Sequence, residues 1–125
     1  MPVPRITREE LTKRLDTTAE ASRPIVVDAR LKYPFEHSSV TLPKAVRLDP
    51  SGTVPQLAKG RDIVVYDSDP EELVSAPVVA RLRRDGYTAF ALVGGIGEWL
   101  AAKLPTDAKD APQQAPPKAG ALAKK

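Results

Sequence analysis

Four carboxylates stand within six residues, Asp67-Ser68-Asp69-Pro70-Glu71-Glu72, directly after the apolar run Ile63-Val64-Val65-Tyr66. Acids placed at the end of a strand could ligate Ca²⁺ or Mg²⁺ through their oxygens. A plainer reading gives Asp69, Glu71 and Glu72 to the first turn of a helix, where acids complement the dipole and need no metal. Thiol chemistry is excluded, because the chain has no cysteine; disulfides and thiolate zinc sites go with it. Ser68 and Ser75 lack a base, since the only histidine, His37, falls in a loop beside Pro34, Phe35 and Glu36 at no useful spacing. His37 is expected to face solvent.

The elements that must position these residues alternate between helix and strand, as in a parallel sheet with crossover helices. Thr7 and Glu10 form a capping-box pair, so a first helix is predicted over 8–16 with Leu11 and Leu15 inward. Pro24-Ile25-Val26-Val27-Asp28 is short, apolar and β-branched, the pattern of a strand covered on both faces. Residues 31–44 read as irregular. Strands follow at 45–48 and 62–66, separated by a turn at 49–52 and a brief helical segment near 54–58. Asp69 as cap and Pro70 at the first position predict a helix over 70–84. Pro77 should kink that helix or restart it about a turn after the acidic loop. Gly86 ends it. Ala89-Phe90-Ala91-Leu92-Val93 is another buried strand, and Gly94-Gly95 turns the chain into a last helix reaching about Lys103, with Trp99 packed against the core. Tyr66 and Tyr87 read as core or half-buried anchors.

Length limits the 125-residue chain to one core. Residues 1–104 are expected to form it. From Pro105 onward the sequence is rich in Ala, Pro, Gln and Lys and is expected to be disordered. Of the net charge of +3, this tail supplies +2 through four lysines (Lys109, Lys118, Lys124, Lys125) against Asp107 and Asp110. The rest is close to neutral and concentrates no basic, aromatic-interleaved face, so no nucleic-acid partner is indicated. Arg81-Leu82-Arg83-Arg84 falls late in the predicted helix, where cations complement its dipole. No apolar run long enough to span a membrane and no secretory signal is found, which makes the cytoplasm the expected location.

Several stretches resemble one family. Val27-Asp28-Ala29-Arg30 resembles the D-x-R element of rhodanese-like domains, and Leu42-Pro43-Lys44-Ala45-Val46-Arg47-Leu48 resembles their I-P-G-A-x-x-I stretch. Val64-Val65-Tyr66 resembles the strand before their active-site loop, Gly86-Tyr87 their G-[YF], and Gly94-Gly95 with Trp99 their G-G-x-x-x-W. These elements occur in the family's order over residues 5–104. The resemblance implies a single α/β domain with a central parallel five-stranded sheet flanked by helices on both sides. Four of those strands are legible, and a short fifth is expected near Arg5-Ile6.

The resemblance also implies a loop from Asp67 to Ser75 where sulfur-transferring members carry a persulfide on cysteine. Asp67 stands at that cysteine's place, and the family's G-H-I element has become Ser39-Val40-Thr41-Leu42. A carboxylate cannot replace a soft thiolate that must hold a sulfane sulfur. Asp28 and Arg30 are expected to support the loop. A similarity of Asp67-Ser68-Asp69 to the D-x-D of haloacid-dehalogenase-like phosphotransferases is opposed by Glu71, where that family has Thr or Val, and by the lack of a later acidic pair. The expectation is a catalytically inactive rhodanese-like module that binds another protein and needs no cofactor. Its pseudo-active-site loop comprises Asp67, Ser68, Asp69, Glu71, Glu72 and Ser75, and Asp67 plugs the old anion pocket with the chain's own carboxylate. Cation binding or metal-dependent phosphate handling by Asp67 and Asp69 is the alternative.

Overall fold

The computed structural model describes residues 3–17, 23–48, 57, 60–69 and 71–108. Five parallel strands form the central sheet in the order β1-β6-β5-β2-β4. They are β1 (Arg5–Ile6), β2 (Ile25–Asp28), β4 (Val46–Arg47), β5 (Ile63–Tyr66) and β6 (Ala89–Leu92). The expected fifth strand is β1, on the edge beside β6. β5 takes the centre because all four of its residues are buried, which only a strand covered on both faces permits.

Alternate residues of the strands build two cores. On one face Val27, Ile63, Val65, Ala89 and Ala91 meet Val78, Val79 and Leu82 of α3 (Ser75–Arg84). On the other, Val26, Val64, Tyr66 and Leu92 meet Leu11 of α1 (Arg8–Thr17) and Ile96 and Trp99 of α4 (Gly95–Ala101). Each large apolar side chain removed from water in this way contributes about 1.5–3 kcal/mol. Thr7 Oγ1 accepts from Glu10 N at 3.1 Å, so the predicted cap starts α1.

Three expectations need correction. The stretch 31–44 is not wholly irregular: it contains α2 (Lys32–Glu36) and β3 (Val40–Thr41). α2 buries none of its residues, so it lacked the apolar stripe by which helices are recognised. Phe35 instead lies between the guanidinium groups of Arg30 and Arg47, 5.4 and 4.1 Å from its ring centre. The helix predicted over 70–84 begins only at Ser75, with Pro77 in its first turn where the missing N–H has no intrahelical acceptor. That is the restart foreseen from Pro77.

The third correction concerns the boundary at residue 104. β7 (Asp107–Ala108) pairs antiparallel with β3 in a small second sheet, with Thr41 opposite Asp107 and Val40 opposite Ala108. Asp107 Oδ2 accepts from Lys44 N at 2.8 Å, and Pro105 O accepts from Trp99 Nε1 at 2.8 Å. The composition of the tail hid this strap because its partners lie about sixty residues away. The turn at 49–52, the rest of the tail and all of the segment 54–58 except buried Leu57 lie outside the described residues.

Candidate functional site

β2 and β5 are adjacent and in register, Asp28 opposite Tyr66, so the residues that follow them emerge side by side at the carboxyl end of the sheet. Such an end is where ligands meet open α/β sheets. Arg30 leaves from one strand and Asp67 from the other.

Asp67 is fully buried. Its Oδ2 accepts from Val74 N at 2.8 Å and Ser75 N at 2.6 Å, and its Oδ1 from Asp69 N at 3.0 Å. α3 has no side-chain cap from its own N-cap residue Val74; Asp67 supplies the acceptor from the strand end instead. Its backbone oxygen accepts from Ile96 N at 2.9 Å, and a Cβ on Gly95, whose φ is +64°, would collide with that oxygen. The glycine is therefore needed for α4 to approach the loop. Burial raises the Asp67 carboxyl above its ordinary value, against the opposing pull of the amides of Ser75, Val74 and Asp69.

The other acids of the loop diverge from Asp67. Asp69 Oδ1 accepts from Glu71 N at 2.7 Å, a local turn rather than a helix cap. Glu71 and Ser68 are exposed. Glu72 is buried and left-handed, φ +59°, and its carboxylate points away to Arg5 Nε at 2.6 Å, Arg5 Nη2 at 3.0 Å and Gly94 N at 3.0 Å. Burial would raise the Glu72 carboxyl, but the hydrogen bonds from Arg5 and Gly94 and the charge of Arg5 together hold it below its ordinary value. Ser75 is buried, and its hydroxyl has no partner among the described residues. Among the described residues no group of three or more His, Cys, Asp or Glu side chains is arranged to hold a metal ion.

Asp28 and Arg30, expected to support the loop, pair with each other, and Arg30 Nη2 also donates to Val40 O at 3.1 Å. Arg30 Nε donates to both Asp28 oxygens at 3.0 and 3.1 Å, its Nη2 reaches Oδ2 at 2.7 Å, and both residues are about 98–99% buried. A fork of this kind fixes geometry as well as charge. Tyr66 donates its hydroxyl to Asp28 Oδ2 at 2.9 Å, and burial with the nearby Asp28 charge raises its ionisation far beyond the usual tyrosine range. Arg47 Nη1 donates to the backbone oxygens of Arg30 at 2.6 Å and Asp28 at 3.3 Å. Sequence reasoning did not single out Arg5 or Arg47. Arg5 is 67 residues from its acid, and no local spacing signals such a pair. His37 is exposed and stacks on Tyr33, 5.9 Å between ring centres.

A cleft of about 550 Å³ lies at the other end of β2, with Arg23, Pro24, Ile25, Arg61 and Pro105 among its lining, and shares no residue with the loop. No helix among the described residues is long and apolar enough to cross a membrane.

No protein-family model matches the sequence, and no curated protein is significantly similar to it. Solved structures are. The BH2092 protein of Bacillus halodurans aligns with a TM-score of 0.71 at 18% identity, over 85% of this chain and 77% of that one. A thiosulfate sulfurtransferase from Pseudomonas aeruginosa gives 0.68 at 22% identity over 85% of this chain, which spans only 19% of that protein. A rhodanese-like domain protein from Staphylococcus aureus gives 0.63 at 24% identity, over 77% of this chain and 90% of that one. At these identities the likeness is one of fold, and in fold this chain is a rhodanese-like α/β domain without a cysteine.

Proposed function

We propose that the chain is a non-catalytic rhodanese-like module that binds another protein at the carboxyl end of its sheet. The observation that carries this reading is the Asp67 carboxylate seated on the amides of Asp69, Val74 and Ser75. Backbone amides converging at a helix start are what a loop offers to an oxyanion, and here the protein's own anion takes them. A thiosulfate or phosphate ion brought to the same place would meet Asp67 and Asp69. Each pair of like unit charges at ~4 Å costs roughly 1–4 kcal/mol at surface-like dielectric. Sulfur transfer further requires a thiolate that the chain lacks. Metal-assisted phosphate chemistry is disfavoured by the divergence of the four acids.

Among the described residues, the same end of the sheet carries exposed apolar side chains. Leu73 on the loop is 67% exposed, and Leu31 and Tyr33, which follow β2, are 52% and 69% exposed. Asp69 and Glu71 lie beside Leu73 in the loop, and Glu36 ends α2. Leu73 with Asp69 and Glu71 near it suits a partner that offers apolar and basic residues together, while exposed Lys32 stands between Leu31 and Tyr33.

The test has two arms. Thermal unfolding with thiosulfate, phosphate, Mg²⁺ or Ca²⁺ is expected to show no shift, because a ligand specific to the native state would raise its stability. A divalent-cation shift that vanishes in Asp67→Asn would overturn the reading in favour of metal-dependent chemistry. In the second arm a lysine- and leucine-containing peptide is titrated into ¹⁵N-labelled protein. Amide shifts are expected at residues 68–75 and 31–37, weakened by Leu73→Ser. Shifts confined to other faces would remove the docking assignment.

A further inference from the structure

β1, like β4 at the opposite edge, has only two residues; it is hydrogen-bonded through Ala91 N to Pro4 O and Val93 N to Ile6 O, each at 2.9 Å. Of the two edge strands, β1 is the one whose side chain is bonded to the Asp67 loop. Arg5, in the middle of that short pairing, grips the buried Glu72 carboxylate with two nitrogens, while the Arg5 side chain itself is 52% exposed. Glu72 is the loop's structural pivot. Its N–H donates to Asp69 O, its carbonyl accepts from Ala76 N in the first turn of α3, and its side chain also accepts from Gly94 N at the end of β6. All of this is held in a left-handed backbone conformation that a residue with a Cβ adopts only under constraint.

We infer that β1 is a release catch for the Asp67 loop. While β1 sits on β6, Arg5 holds Glu72 inward, and Glu72 is fastened to Gly94 just after β6. When β1 leaves the edge, Glu72 loses its cation, the left-handed turn relaxes, and the loop opens. The coupling is reciprocal, as linkage requires: loosening Glu72 weakens β1. An extended segment of a partner that pairs with β6 in place of β1 therefore changes the shape of the loop without touching it. This control holds whatever the loop face binds.

Hydrogen exchange resolved by residue tests the catch on the full chain. The amides of Val74 and Ser75 report the loop through Asp67, and those of Ala91 and Val93 report β1. In the unmodified protein at low urea the two pairs are expected to exchange through one shared opening, with the same dependence on denaturant. Arg5→Ala should speed exchange at Val74 and Ser75 on the order of tenfold, and Glu72→Gln should do the same at Ala91 and Val93. Arg5→Lys should recover part of the protection. Arg14→Ala, which breaks ion pairs to Glu10 and Asp62 elsewhere on the surface, should leave both pairs unchanged. Separate openings in the unmodified protein, an unaltered loop in Arg5→Ala, or equal acceleration by Arg14→Ala would each overturn the inference.

Discussion

Two buried carboxylates, five residues apart, respond to pH in opposite senses. Asp67 is raised above its ordinary 3.8, so the folded state binds its proton more tightly than the unfolded chain does. Its stabilising contribution is therefore complete below 3.8 and is lost as pH rises through the folded value. Glu72 is lowered from 4.5, so its contribution is present above 4.5 and is lost as pH falls through the folded value. Urea unfolding from pH 3 to 7 should accordingly show Asp67→Asn gaining stability relative to the parent as pH rises, and Glu72→Gln gaining relative to it as pH falls. Asp67→Ala is a harsher change. It strips the acceptor from three amides, that of Ser75 buried and those of Asp69 and Val74 part-buried, and at about 1–3 kcal/mol for a buried group left unsatisfied it should cost at least that much by urea unfolding at pH 7. The place of Asp67 was legible from the run Ile63 to Tyr66 and its own position at the strand end. Its inward orientation follows from strand alternation, since Val65 faces α3. The turn of Glu72 away from the other acids was not legible, because it depends on Arg5 and Gly94, which only the closed sheet brings near.

Elements were readable where their cause was local. β2 and β5 are runs of apolar, largely β-branched residues, β6 is an apolar run of Ala, Phe and Leu, and α1 carries its own cap. Misreadings fell where the cause was distant. α3 looked capped by Asp69 and Pro70 but takes its cap from Asp67, so its start moved to Ser75. β3 and β7 have two residues each and exist only as a pair, which no window of sequence contains. The strap they form should be measurable. A chain ending at residue 104 loses the Trp99 bond to Pro105 and the Lys44 bond to Asp107 that a chain ending at 108 keeps. At about 1 kcal/mol net for each hydrogen bond, the shorter chain should be less stable by about 1–2 kcal/mol in urea. Equal midpoints would show the strap to be without consequence for folding. Within α3, Leu82 is fully buried in the core, and Leu82→Ala should cost about 2–5 kcal/mol by the same measurement.

The order of the sheet makes assembly of the whole molecule depend on distant pairings. β1 waits for β6, Arg5 opposite Ala91, so the first strand of the chain has its partner near the end of the domain. Long closures of this kind slow folding into the millisecond-to-second range and leave the last pairings outside the transition state. Ile6→Ala should therefore speed unfolding while leaving the folding rate nearly unchanged in stopped-flow chevrons. A slowed folding arm would mean that β1 docks early. The filled cradle at Asp67 also decides which cellular conditions the binding face can register. The residues most readily altered by peroxides are cysteine and methionine; the chain has none of the first and only Met1 of the second. Oxidants that inactivate thiolate sites have no such atom to attack in this loop, and its carboxylate already occupies the place that a dissolved oxyanion would seek. Under the proposed binding role the face thus keeps the same form through oxidative stress and through swings in sulfate or phosphate, and what alters it is the state of β1.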